Sequence, residues 1–259
     1  MISVSIIIVS YNARADLERC LESLHAAEPV ATHEIVVVDN GSTDGSADAA
    51  RRWPKVRVIQ TGTNLGFARA TNVGIRASAG ANLLLLNGDT IVPSGAVDAL
   101  IAELDRDPEV AVVGPRLVDA NGRPELSFGR MIGPLNELRQ KRLARGPVST
   151  LTRARQYPDW VSGACLLVRR VDAEAAGLLD ERFFMYTEDV DFCAAIRARG
   201  RRILFTPDVD VVHLRGRSVA AAPAATNLAY RRSQIAFYEK HHPAWSPFLR
   251  LYLRLRRQI

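Results

Sequence analysis

Short aliphatic runs recur through the first half of the chain, each followed by a stretch whose apolar positions return every three or four residues. The runs predict strands at 4–9, 34–39, 56–60, 82–87 and 110–113. The periodic stretches predict helices at 15–25, 46–53, 67–77 and 94–105. Strands that are apolar throughout, instead of alternating, need cover on both faces. Strand–helix alternation of this kind implies an α/β, Rossmann-like domain with a central, mostly parallel sheet flanked by helices. Such sheets bind ligands beyond the carboxyl ends of their strands. The polar clusters fall there, at 10–12, 39–46 and 87–90.

The pattern changes in the second half. Residues 130–158 are Arg-rich, carry Pro134, Gly146 and Pro147, and show no clean period, so a mobile loop or a short helix within a loop is expected. Beyond it the pattern predicts a strand at 160–169, a short helix at 171–177, and a helix at 189–199 that stops at Gly200. Short strands at 203–205 and 209–213 and a helix at 224–241 follow. The tail, WSPFLRLYLRLRRQI, has two periods. On a helical wheel Phe248, Leu251, Tyr252, Leu255 and Ile259 cluster, opposite Arg250, Arg254 and Arg257. Yet Leu249, Leu251, Leu253 and Leu255 also alternate as in a strand. A basic amphipathic helix lying on a membrane surface is one expectation, and a helix docked on its own domain is the equal alternative. The expected organisation is one domain at 1–218, in two parts, 1–115 and 116–218 with the mobile basic loop, and a C-terminal helical extension at 219–259.

The chain has 259 residues, of which 47% are hydrophobic, enough for one large domain with a real core. No apolar run approaches the roughly 18 residues of a spanning helix. The N-terminus lacks a basic leader and reads as a buried strand, not a signal peptide. Three cysteines, Cys20, Cys165 and Cys193, have no metal-ligand spacing and fit reduced core residues in a cytoplasmic protein. The net charge of +6 is uneven. Between Arg130 and Arg155 seven basic residues face one acid, Glu137, and between Arg231 and Arg257 seven face Glu239. A basic loop and a basic tail attract phosphates or anionic lipid. Neither has the aromatic interleaving of a nucleic-acid binder, and no nucleic-acid partner is expected.

The acids carry the candidate chemistry. Asp39 ends a strand before a turn rich in Gly, Ser and Asp, where its carboxylate can accept the imide N–H of uracil or thymine. The plainer reading is a good turn with Ser42 or Asp44 as helix cap. At 64–75 a Gly66-containing loop opens a helix, offering free N–H groups and a positive dipole end to a diphosphate, with Arg69 near the base or phosphates. Asp89 follows four leucines, and a carboxylate there suits Mg²⁺ or Mn²⁺. Glu188, Asp189 and Asp191 crowd one helix start. Dipole complementation alone is a weak reason to keep three mutually repelling acids together. Asp189 is the candidate general base, and Asp191 is read as orienting it, binding acceptor or facing solvent. His213 ends an apolar strand as a candidate neutral ligand to the same metal, with Arg215 and Arg217 ready to neutralise a leaving diphosphate.

The segments SIIIVSYN (5–12), VVVDNGSTDGS (36–46), NLGFARATNVGI (64–75), LLLLNGDT (83–90), WVSGACLLVRR (160–170), LDERFFMYTEDVDFCAAIRARG (179–200) and VVHLRGRS (211–218) together resemble the family-2 inverting glycosyltransferases of the A-type nucleotide-diphospho-sugar transferase fold. The resemblance is strongest to the bacterial rhamnosyltransferase-like branch that builds cell-envelope polysaccharides. It implies Mg²⁺ or Mn²⁺ bound through Asp89 and the donor diphosphate with His213 as further ligand, Asp39 on the nucleobase, and Asp189 as base on the acceptor hydroxyl. It also implies that Ser10, Tyr11 and Asn12 wall the nucleotide pocket, that Gly66, Arg69, Asn72, Asn87 and Gly88 belong to the donor site, and that Gly163 leaves room for donor sugar or acceptor. Asn87 stands where the first acid of an Asp-x-Asp pair would be, which gives His213 more weight. The implied donor is a dTDP- or UDP-sugar, rhamnose first, and the implied acceptor a glycan or lipid-linked glycan, with possible peripheral membrane contact through the tail. Two rivals remain at this point. A sugar-nucleotide pyrophosphorylase would want a Gly-rich phosphate loop after the first strand, and SYNARADL has no glycine. A non-catalytic scaffold would not need the acid cluster.

Overall fold

A computed structural model describes residues 2–144, 146–214, 223–256 and 258–259. Arg215 and Arg217 lie outside the described residues. The strands are β1 (Val4–Ser10), β2 (His33–Asp39), β3 (Val56–Gln60), β4 (Asn82–Asn87), β5 (Thr90–Ile91), β6 (Val110–Val118), β7 (Phe128–Gly129), β8 (Trp160–Val161), β9 (Cys165–Arg169) and β10 (Arg202–His213). The helices are α1 (Arg14–Ala26), α2 (Ser46–Arg51), α3 (Phe67–Arg76), α4 (Ala96–Arg106), α5 (Pro134–Ala144), α6 (Val148–Leu151), α7 (Arg170–Ala175), α8 (Glu188–Ala198), α9 (Pro223–His241) and α10 (Ser246–Leu255).

Eight strands form one sheet in the order β3-β2-β1-β4-β9-β6-β10-β5, and β7 pairs with β8 beside it. Strands β3, β2, β1 and β4 run parallel, and β10 is parallel to β6. Strand β9 is antiparallel to both its neighbours, and β5 to β10. The aliphatic runs explain the layering. Successive side chains point to opposite faces, so Ile6 and Ile8 join Leu17, Leu21, Leu84 and Leu100 on one side of the sheet. Ile7 joins Val36, Val38, Leu83, Leu85 and Phe192 on the other. A third, smaller cluster of Phe183, Val190, Phe237 and Tyr238 joins the C-terminal helix to the domain.

The second half departs from expectation in three places. The strand expected at 160–169 is two strands, broken at 162–164, where the small residues Ser162, Gly163 and Ala164 let the chain change direction. The two short strands expected at 203–205 and 209–213 are one strand, β10, whose irregularity between Thr206 and Asp210 absorbs Pro207. Strand β6 runs on to Val118, past the expected end at 113. The basic segment 130–158 holds the eleven-residue helix α5, anchored where Glu137 accepts hydrogen bonds from Gln234 (2.8 Å) and Tyr238 (2.7 Å).

The tail is helical, but its apolar cluster points outward. Phe248, Leu251, Tyr252 and Leu255 are all more than half exposed, while Leu253 and Ser246 are the buried residues of α10. No helix among the described residues is long and apolar enough to cross a membrane.

Candidate active site

Parallel pairing brings the first acids together. Ser10 is in register with Asp39 and Val9 with Asn87, so β1, β2 and β4 end at one rim. Asp39 is buried. Its Oδ2 accepts from the Ser42 amide at 3.3 Å, while Oδ1 is buried with no partner among the described residues, as is the Ser10 hydroxyl. Buried polar atoms without partners are costly, and these two are adjacent across the strand pair. Asn12, at φ 48°, stitches the two loops: its Oδ1 accepts from the Thr43 amide (2.8 Å), and its amide donates to Ser42 Oγ (3.0 Å). Tyr11 beside it is half exposed. Asp44, read earlier as a possible cap, accepts from the Ser46 amide (3.0 Å) at the start of α2.

The loop before α3 is fixed by Asn40, which accepts from the Leu65 amide (2.9 Å) and donates to Asn64 (3.0 Å). Gly66 is needed for closeness as well as conformation. At φ 85° a Cβ would lie 2.6 Å from the Phe184 carbonyl oxygen, and the next amide, Phe67, donates to that same oxygen at 2.6 Å. The loop expected to face phosphates is thereby locked onto the segment leading to the acid cluster. One turn further on, Glu181 gathers α3. It accepts from Asn72 (3.0 Å) and Arg76 (3.2 Å) and lies 3.6 Å from Arg69. Asn72 also donates to the Leu179 carbonyl at 2.8 Å, so its amide is used in holding the 179–181 loop.

Asn87 closes β4, its amide donating to the Ala164 carbonyl (2.9 Å) and its carbonyl accepting from Thr90 Oγ1 (2.8 Å). Gly88 follows, where a Cβ would meet nothing closer than 3.7 Å. The chain then reverses through β5, which pairs with the end of β10 so that His213 faces Thr90. This antiparallel register delivers His213 to Asp89. Leu214 N donates to the Asp89 carbonyl at 2.8 Å, and His213 Nε2 lies 3.3 Å from Asp89 Oδ1. His213 is buried, and its other nitrogen, Nδ1, lies 3.5 Å from Glu125 Oε2.

The donor set fits a divalent ion. Two ligands at right angles, each about 2.1 Å from a six-coordinate ion, stand about 3 Å apart, close to the Asp89–His213 separation. Among the described residues no three His, Cys, Asp or Glu side chains group as a metal site. Asp89 and His213 together offer one carboxylate and one imidazole, a donor pair that a divalent ion accepts alongside water. The carboxylate behind the imidazole is the arrangement that orients ligating histidines.

The third acid group stands at the start of α8. Tyr186 and Thr187 precede it with left-handed φ values of 71° and 63°. Such conformations in non-glycine residues cost about 1–2 kcal/mol each and persist only where the surroundings enforce them. Asp189 Oδ2 accepts from the Gly163 amide at 2.9 Å, and Oδ1 from the Val190 amide at 2.8 Å. A Cβ at position 163 would lie 3.2 Å from Asp189 Cβ, so Gly163 makes room for the carboxylate. Asp189 is partly exposed as a residue, but its carboxyl is surrounded by protein, and burial raises its pKa against those hydrogen bonds. Glu188 is buried, with Oε2 unpartnered. Burial, and then the charge of Asp189, raise its pKa well above the carboxylate range. Asp191 is 2% exposed and turned to the C-terminal helix, where Lys240 Nζ (2.8 Å) and His241 Nε2 (2.6 Å) take its two oxygens. Glu125, Glu181, Lys240 and His241 were not legible in the sequence. Each acts through a partner at least 49 residues away, with no local motif.

The family model described as glycosyl transferase family 2 matches residues 5–173. The chain belongs to that family. It is therefore a glycosyltransferase. An N-acetylglucosaminyl-diphospho-decaprenol L-rhamnosyltransferase from Mycobacterium tuberculosis is 32% identical over 93% of this chain and 85% of its own length. Among solved structures, a mannosyltransferase from Pyrobaculum calidifontis in complex with GDP-Man and Mn²⁺ aligns at TM-score 0.66 and 20% identity, over 95% of this chain and 68% of its own. GalNAc-T7 with UDP, GalNAc and Mn²⁺ aligns at 0.64 and 20%, over 82% and 43%. These two share the fold, the A-type glycosyltransferase fold.

Proposed function

We propose that this glycosyltransferase is metal-dependent and inverting, and that it moves a deoxyhexose, rhamnose first among candidates, from a nucleoside diphosphate to a hydroxyl of a lipid-linked glycan. The observation that carries the reading is the meeting of Asp89 and His213, 3.3 Å apart, on the sheet whose strand ends also hold Asp39. In this reading Asp39 Oδ1 and Ser10 Oγ, both lacking partners among the described residues, receive the imide edge of thymine or uracil. Tyr11 and Asn12 wall the base. The loop before α3 with Gly66, and Asn87 with Gly88, are assigned to the diphosphate and sugar, with Arg69 on α3 as a cation beside them; Arg215 and Arg217, outside the described residues, are further candidate cations by sequence alone. A divalent ion, Mg²⁺ or Mn²⁺, held by Asp89 and His213, would neutralise the departing diphosphate when bound.

Asp189 takes the proton of the acceptor hydroxyl. The oxygen forms its bond to the anomeric carbon while the bond from that carbon to the diphosphate oxygen breaks, the electron pair leaving with the nucleoside diphosphate. A single displacement inverts the anomeric centre. The raised pKa of Asp189 favours it as a base, because a weakly basic carboxylate would hold the proton poorly.

The acceptor class is supported by the mycobacterial relative, whose name describes a sugar on a diphospho-decaprenol lipid. A lipid acceptor also gives the outward face of α10 a use. Phe248, Leu251, Tyr252 and Leu255 lie at i, i+3, i+4 and i+7, with Arg250 and Arg254 on the same helix and Arg256 just past its end, which suits peripheral contact with an anionic membrane on the cytoplasmic side.

The test is incubation with dTDP-rhamnose or UDP-sugars, Mn²⁺ or Mg²⁺, and a lipid-diphosphate N-acetylglucosamine acceptor. The expected result is metal-dependent release of nucleoside diphosphate and a glycoside of configuration opposite to the donor. Transfer with retention, or undiminished transfer in EDTA, would overturn the proposal.

A further inference from the structure

Helix α9 lies wholly beyond the residues matched by the family model. One face of it is spent on the segment that carries the acid cluster. Tyr230 packs edge-on against Tyr186, ring centroids 5.9 Å apart. Ser233 Oγ donates to the Met185 carbonyl at 2.7 Å. Phe237 is buried in the same cluster as Phe183 and Val190. Lys240 and His241 then close on Asp191. Positions 230, 233, 237, 240 and 241 follow helical spacing along a single stripe.

The stripe touches the chain on both sides of the two left-handed residues, Tyr186 and Thr187. A strained turn of this kind needs external support, and α9 contacts it at Met185, Tyr186 and Asp191. Asp191 lies two residues from Asp189, in the same first turn of α8. A carboxylate 2% exposed is a poor choice for stability alone, since apolar packing would serve as well or better, whereas a paired one fixes register. Lys240 is also shared with Asp180, at 2.8 Å, so the link spans both ends of the 180–191 segment.

We infer that Lys240 and His241, acting through Asp191, are positioning residues for the general base. They set the rotation of the first turn of α8 and so hold the Asp189 carboxylate against the Gly163 amide, facing the acceptor. The inference rests on the reading of Asp189 as base. It makes the C-terminal extension part of the catalytic apparatus, through a helix that need not touch either substrate.

The experiment compares full-length Lys240→Gln, Lys240→Arg and His241→Gln with Asp189→Asn. Lys240 and His241 side chains are 30% and 26% exposed, so their replacement opens no sealed cavity. In Lys240→Gln and His241→Gln, kcat should fall ten- to a hundredfold, while the donor dissociation constant, read by calorimetry with Mn²⁺, stays within twofold. Lys240→Arg should recover most of kcat, because it restores the cation. A kcat within twofold of wild type in both Gln variants overturns the inference. So does a loss matched by an equal loss of donor affinity, or by thermal unfolding that Lys240→Arg does not separate from kcat. Asp189→Asn tells the two failures apart. If it is inactive while the Gln variants are normal, only the positioning role fails. If it is fully active, the base assignment fails first.

Discussion

At the rim assigned above to the nucleotide, Ser10, Asp39 and Asn87 are delivered by neighbouring strands that end in parallel register. Asp189, by contrast, is delivered by a strained turn, a glycine from a broken strand and a helix from the far end of the chain. The first edge is rigid because its backbone is the sheet itself. The second depends on side chains that meet across 26 to 50 residues of sequence. On the proposed reading, binding and chemistry are divided between a part held by main-chain pairing and a part held by salt bridges and packing, and the two should respond differently to substitution.

The sharpest way to break that division is Asp189→Asn. Removing a general base typically costs 10²–10⁴ in rate, and turnover is expected to fall in that range while donor affinity stays within twofold. A parallel loss of donor binding would mean that Asp189 belongs to the nucleotide edge after all.

The same division decided what could be read from the sequence. The positions of Asp39, at the end of β2, and of Asp89, two residues past β4, could be placed from the sequence because each follows an aliphatic run, which is a local signal. His213 was legible for the same reason, although its meeting with Asp89 needed the two-residue strand β5, which no periodicity reveals. Glu125 was invisible. It follows a turn at 119–123 and matters only because β6 and β10 lie side by side. Asp191 was read as orienting the base, touching acceptor or facing solvent, yet it is buried against Lys240 and His241, a pairing that no spacing rule suggests. The apolar pattern ran unbroken through Ser162–Ala164, so the bend that presents the Gly163 amide was hidden in three small residues. In the tail the sequence left two helical alternatives equal, and the exposure of Phe248, Leu251, Tyr252 and Leu255 matches the outward-facing cluster of the first, while Leu253 is buried.

Glu125→Gln probes the second largest effect. Carboxylates that hold a ligating histidine are worth roughly 10–100-fold in metal affinity. The Mn²⁺ concentration for half-maximal activity should rise by that factor, with turnover at saturating metal close to wild type. An unchanged metal requirement would show that the Glu125–His213 approach, 3.5 Å, orients nothing.

The outward face of α10 should yield a smaller change, and one separate from the chemistry. Burying an exposed Phe fully is worth about 1.5–3 kcal/mol, and partial insertion at an interface gives less. Phe248→Asp should therefore weaken binding to vesicles containing anionic lipid by about tenfold. Turnover on a short-chain soluble acceptor should be unaffected. Equal vesicle binding by the variant, in flotation, would remove α10 from the membrane surface.

The smallest effect is one of stability, and its sign follows from Glu188. Burial, then the adjacent Asp189, raise its pKa well above that of an ordinary glutamate. Over the window between the unfolded and the folded value, the native protein keeps a proton that the unfolded chain has released. Stability falls with pH wherever the native state binds more protons. The wild type should lose stability from this group as the pH climbs above the ordinary carboxylate range. Glu188→Gln keeps the neutral form at every pH and abolishes that loss. The difference in Tm, variant minus wild type, should thus be more positive at pH 8 than at pH 5. A difference that is flat, or that shrinks as the pH rises, would mean Glu188 is ionised in the folded protein and its Oε2 satisfied, so that the acid pair beside the turn carries two charges instead of sharing one proton.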